Sequence, residues 1–125
     1  MHRLNEIENV RQEPNAPGRR RWFESDGFDL VVWHGADGAV TGFQICYRTM
    51  HGEFALTWRD GAGFAHDAVD EGDTGPTKNQ TPILVPDGRA PWAMLARTFG
   101  ERSATLEPTL RALVAGKLAE GTARV

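Results

Sequence analysis

The chain of 125 residues holds a single cysteine, Cys46, so no intramolecular disulfide can form. A reducing, cytoplasmic compartment is the expectation that follows. No uninterrupted apolar run approaches the ~20 residues of a membrane-spanning helix. The first residues, MHRLNEIENVRQEPNAPG, contain no apolar core of the kind a signal peptide needs. Positive charge is not in surplus either. A net charge of −3 argues against a dedicated nucleic-acid binder, whose usual footprint is strongly basic. Lysine is nearly missing: Lys78 and Lys117 are the only two among 14 basic residues. Arginine richness therefore reads as a habit of composition, and the Arg19–Arg21 run in RRRWF reads as a solvated edge beside a core-anchoring Trp22. Serine occurs only at Ser25 and Ser103, neither within Gly-x-Ser-x-Gly, so a serine hydrolase is not expected. Neither GADG nor DGAGF opens a helix, so no phosphate-cradling loop is present.

What the sequence does contain is enough bulky apolar material for one domain. It has four Trp and six Phe, in a composition 40% hydrophobic and 25% charged. Residues 1–18 are polar and carry Pro14 and Pro17, and they are expected to form a flexible arm ahead of a single domain over 19–121. From Trp22 onward short alternating runs appear. FDLVVWH and AVTGFQICYR flank an Asp37-Gly38 turn signal, and EFALTWR follows after Gly52. Closing the first hairpin with Ala36 beside Ala39 puts Leu30 opposite Ile45 and Val32 opposite Phe43. Pairing Arg48 with Glu53 in the second puts Tyr47 opposite Phe54 and Ile45 opposite Leu56. Both registers select the same apolar face: Phe28, Leu30, Val32, Phe43, Ile45, Tyr47, Phe54, Leu56 and Trp58.

RWFES and TPILVPDG read as further short strands, the latter bracketed by Pro82 and Pro86. Trp92, Leu95, Ala96 and Phe99 then recur at helical spacing after Pro91. A second helix is marked by Leu106, Leu110, Leu113, Val114 and Leu118, with Gly121 as its expected end. The fold class that results is α+β: an antiparallel meander of four to six strands with two C-terminal helices on one face.

Three groups of residues are candidates for chemistry. In GFAHDAVDEGD, His66 and Asp70 stand four apart and share a face in either a strand or a helix. They could serve as a base and its orienting carboxylate, or ligate a metal with a distant His34 or His51. The spacing meets no known ligand pattern, since zinc wants at least three protein ligands and DEGDTG does not follow a calcium loop. The plainer reading is a strand end that runs into an acidic loop. Cys46 is the only thiol; a neighbouring Arg48 would lower its pKa, although a mid-strand cysteine ordinarily just packs. Trp33 falls on the half-polar face with Gln44, Arg48, Thr57 and Arg59, where it makes a platform for a ligand or a partner unless a loop or the arm covers it.

The run WFESDGFDLVVW…GFQICYR…FALTWR…GFAHDAVDEGD…TPILVPDG resembles a family of small bacterial proteins without an assigned activity. The resemblance spans roughly residues 19–118 and implies a free-standing bacterial cytosolic protein; it supplies no cofactor and no catalytic residue. Composition and faces together favour a non-enzymatic binding domain that uses the half-polar sheet face, with a homodimer as one use of it. The alternative is an acid/base or metal-dependent enzyme centred on His66 and Asp70. No cofactor is expected.

Overall fold

The computed structural model describes residues 3–12, 18–70, 83–86 and 90–123, with backbone alone for Asp70 and 83–86. Strands β2 (Arg19–Glu24), β3 (Phe28–His34), β4 (Val40–Thr49), β5 (Gly52–Arg59), β6 (Gly63–Asp70) and β7 (Ile83–Pro86) form the expected antiparallel meander. A two-residue strand β1 (Asn5–Glu6) pairs with β2 and brings the sheet to seven strands, in spatial order identical to chain order. Helices α1 (Trp92–Arg102) and α2 (Pro108–Ala123) follow.

The registers are the ones that side-chain parity selects. Leu30 faces Ile45, Val32 faces Phe43, Tyr47 faces Phe54 and Arg48 faces Glu53. The closure of the first hairpin differs from the two-residue turn expected there. His34 pairs with Val40 across a bulge, and Gly35–Ala39 make the turn, with Gly38 at φ +88°. The Asp37 side chain accepts from the Ala39 amide and holds that wider loop. A bulge re-aims the strand end without changing which face is apolar, so the core prediction survives a wrong turn.

One sheet face and one stripe of each helix share a single core. Leu30, Ile45, Leu56, Val32 and Phe43 are fully buried beneath Leu95, Phe99, Leu110, Val114 and Leu118. Burying side chains of this size is worth roughly 1.5–3 kcal/mol each, and these carry the fold. Gly121 does not end its helix; α2 runs to Ala123 and uses Gly121 as a packing notch against Trp92.

The N-terminal segment is not a free arm over its described part. Leu4 is 0% exposed within the core, and its amide donates to the Arg102 carbonyl at 2.9 Å. The Thr105 hydroxyl donates to the Leu4 carbonyl at 2.6 Å. Leu4, Ile7 and Val10 are too few to mark a wide apolar stripe, so the burial of Leu4 could not be read from spacing. Next to it, the Arg21 guanidinium binds Glu6 and Glu107 at once, each through two bonds of 2.8–2.9 Å. One side chain thus ties β1, β2 and the start of α2 together. Arg102 plays a similar part, bonding Ser25 and Asp26 in the β2–β3 turn.

Candidate functional site

The outer sheet face, away from the helices, is built as rows of residues that sit side by side on adjacent strands. One row runs Arg20, Trp33, Gly42, Arg59 and Gly63 across β2 to β6. Gly42 leaves its place empty, and the two large neighbours lean over it. A Cβ there would lie 3.2 Å from Trp33 Cε3 and 3.3 Å from Arg59 Cγ. The Arg59 guanidinium consequently stacks on the Trp33 ring, 4.1 Å from its centroid. An exposed stack of this kind is worth about 0.5–1 kcal/mol, enough to set the orientation of both groups.

The next row inward is Trp22, Val31, Gln44, Thr57 and Ala65. Gln44 donates to the Thr57 hydroxyl at 2.9 Å and accepts from the Cys46 thiol at 3.3 Å. Of the five surface residues expected from the sequence, Trp33, Gln44, Thr57 and Arg59 therefore come together. Arg48 does not. It lies six residues farther along β4 than Gly42, about 20 Å by strand rise, and pairs with Glu53 at 3.6 Å.

The Trp33–Arg59 stack divides this face into two recesses. One, of about 330 Å³, is bounded by Gln44, Thr57, Phe64 and Asp67. The other, of about 570 Å³, is bounded by Gln12, Arg20, His34 and Thr41. Trp33 and Arg59 line both. Half-buried Trp33 is covered on one side by Arg59, and Gln12 of the N-terminal segment borders the larger recess. The arm is held there because Gln12 bonds the Arg20 amide and carbonyl at 2.7 and 2.9 Å.

The other two candidates resolve differently. GFAHDAVD forms a full strand, β6, that carries His66 within it, and the acidic residues 71–73 expected to follow as a loop lie outside the described residues. His66 pairs with Leu56 and so stands on the apolar face, where its Nε2 and the Tyr47 hydroxyl share a 2.6 Å hydrogen bond. Its ring stacks on Phe54 at 5.9 Å and 10°. Parity of the strand could have placed it there, had β6 been extended by one hairpin from Arg59. The backbone of Asp70 pairs with Ile83, and its side chain lies outside the described residues, as do residues 71–73. His34 bonds the Gly38 carbonyl in the β3–β4 turn, and His51 is exposed in the β4–β5 turn. Among the described residues no group of three or more His, Cys, Asp or Glu could hold a metal ion.

Cys46 lies between Asp29 and Ala55 on the neighbouring strands. Burial pushes its thiol up to about 12, and the charges of Glu53 and Asp29 add to that. The expectation that Arg48 would activate it is overturned: Arg48 points its charge at Glu53, and the two nearest acids act in the opposite sense. Among the described residues no helix is long and apolar enough to cross a membrane.

No protein-family model, no characterised protein and no solved structure matches this chain.

Proposed function

We propose that this chain is a small bacterial cytosolic binding domain, without catalytic activity, that takes a small molecule on the outer sheet face around Trp33. The observation that carries this reading is the Trp33–Arg59 stack standing between two recesses on a rigid sheet. Aromatic walls with a few fixed polar groups, at volumes of roughly 300–1,000 Å³, are the usual make-up of ligand pockets. Gln44 and Thr57 are already oriented by their mutual hydrogen bond and need little reordering when a ligand arrives. The position of His66 supports the same reading from the other side. It is half-buried at the apolar face, hydrogen-bonded with Tyr47 and stacked on Phe54, an arrangement that suits a structural histidine.

A mixed set of neutral, cationic and anionic fragments, screened by amide and indole NMR shifts, tests the reading. Shifts clustered on Trp33, Gln44, Thr57 and Arg59 are expected. Shifts that gather elsewhere, or none at all, overturn it. Light scattering on the same sample reads the competing occupant of this face, a second copy of the chain; a dimer abolished by Trp33→Glu would replace the small-molecule reading.

A further inference from the structure

The two recesses beside Trp33 differ in charge, and the difference selects a ligand. The smaller one is bordered by the Asp67 carboxylate. The larger one is bordered by Arg19, Arg20, Arg59 and His34, with no Asp or Glu on its wall among the described residues. In a chain of net charge −3, a basic recess with no acidic residue among its described lining is a departure that composition does not explain.

The donors on this wall are also unspent. The arginines that hold the fold together use their guanidinium groups on protein partners: Arg21 on Glu6 and Glu107, Arg102 on Ser25 and Asp26. Arg20 gives one nitrogen to the Arg11 carbonyl at 2.6 Å, yet its Nε is buried with no hydrogen-bond partner among the described residues. His34 spends its Nδ1–H on the Gly38 carbonyl, so its unpartnered Nε2 is an acceptor in the neutral ring and adds no donor to this wall. Arg59 makes its stack on Trp33, and no hydrogen bond or ion pair from its guanidinium is present among the described residues. A buried N–H without an acceptor costs on the order of 1–3 kcal/mol, a cost that an incoming acceptor removes.

We propose that the recess between Arg20, Trp33 and Arg59 binds a small organic oxyanion, a carboxylate or a phosphate monoester carried on an apolar body. The inference rests on the reading of this face as a ligand surface and names the ligand class for it. Two guanidinium forks meet a planar carboxylate or a phosphate with matched, charge-assisted hydrogen bonds. Trp33 supplies the apolar wall for the rest of the ligand, and Arg59 reaches the anion while still resting on that ring. Arg20 and Arg59 flank Trp33 in one cross-strand row, so the sheet fixes their separation before any ligand arrives.

The test is an NMR-monitored titration of the full chain with phenyl phosphate, benzoate and uncharged benzyl alcohol. Both anions are expected to shift the Trp33 indole N–H saturably while benzyl alcohol leaves it in place, and the tighter of the two identifies the anion. Arg20→Gln and Arg59→Gln should each weaken binding about tenfold, with melting temperatures that confirm both variants are folded. Arg48→Gln should leave affinity unchanged. The proposal is overturned if neither anion saturates by roughly 20 mM, or if Arg20→Gln and Arg59→Gln bind as tightly as the parent. If neutral fragments alone gather around Trp33, the anion inference fails while the binding face stands. A single-stranded oligonucleotide that binds where the small anions do not would replace it with a nucleic-acid surface.

Discussion

Gly121 of α2 lies flat against the indole of Trp92 from α1, so near that a methyl group at position 121 would sit 2.1 Å from a ring carbon. Trp92 cannot simply swing away, because Phe64 of β6 meets it edge-on at 4.9 Å and 84°. Gly116, five residues earlier on the same helix, has nothing within 4 Å of where a Cβ would be. The two glycines should respond oppositely to alanine. Gly116→Ala is expected to stabilise by about 0.5–1 kcal/mol through helix propensity. Gly121→Ala gains the same propensity and loses about 1–3 kcal/mol to overpacking, for a net loss. Urea unfolding of the two variants side by side measures both, and a stabilised Gly121→Ala would contradict the packing described.

Arg21 gives the fold an acid-sensitive fastening. Its hydrogen bonds hold the Glu6 and Glu107 carboxyls below the usual carboxylate range. A lowered folded-state pKa contributes stability that is fully present above the unfolded value near 4.5. That contribution disappears as pH falls through the folded pKa. Both glutamates are largely exposed, so solvent screening keeps the effect modest. The urea midpoint should fall below about pH 4.5 in the parent chain and fall less steeply in Arg21→Met. Parallel pH profiles for the two would count against the fastening.

Cys46 should be a poor nucleophile. With its thiol pushed up to about 12, its thiolate is scarce at pH 8. A disulfide reagent should react with the folded chain about fifty-fold more slowly than with free cysteine. The rate should keep climbing roughly tenfold per unit from pH 8 to 10, where an ordinary thiol levels off. Denaturation in urea should restore the ordinary rate. A fast reaction at pH 7 in the folded state would show an activated thiol.

The Tyr47–His66 hydrogen bond spans two strand steps across Phe54. A double-mutant cycle of Tyr47→Phe with His66→Ala should give a coupling of about 1 kcal/mol in stability. The same variants should leave ligand shifts at Trp33 unchanged, since His66 stands on the apolar face and Trp33 on the outer one. Loss of binding in either would place His66 in the functional machinery.

Most of the sheet was legible because parity has only two outcomes. Once Leu30 faced Ile45 and Tyr47 faced Phe54, every side chain of β3, β4 and β5 was assigned to a face. The same rule placed Trp33 beside Gly42, and from there the row to Arg59 follows. What was illegible depended on single residues or on environment. Leu4 is followed only by Ile7 and Val10, too few to mark a buried stripe, so its burial is decided by the turn it meets after α1. The strand character of residues 63–70 was hidden by two acids and a histidine, which edge-side pairing tolerates as long as Leu56 receives His66 from the other strand. The charge of the larger recess was hidden by the general abundance of arginine, and only the hydrogen bonds separate spent guanidinium groups from unspent ones.

Because each strand of the sheet pairs with the one before it in the chain, β2 to β6 can be added by closing one short loop at a time. Such local closures carry little entropy cost and form on microsecond timescales. The distant steps are few: α1 and α2 must return over the apolar face, and Leu4 must dock against a turn about a hundred residues later, at Thr105. This order makes the segment around Leu4 the last to be secured. Synthesis from the N-terminal side would release β1 to β6 while the helix pair is still unmade, leaving one apolar sheet face uncovered until residues 92–123 emerge.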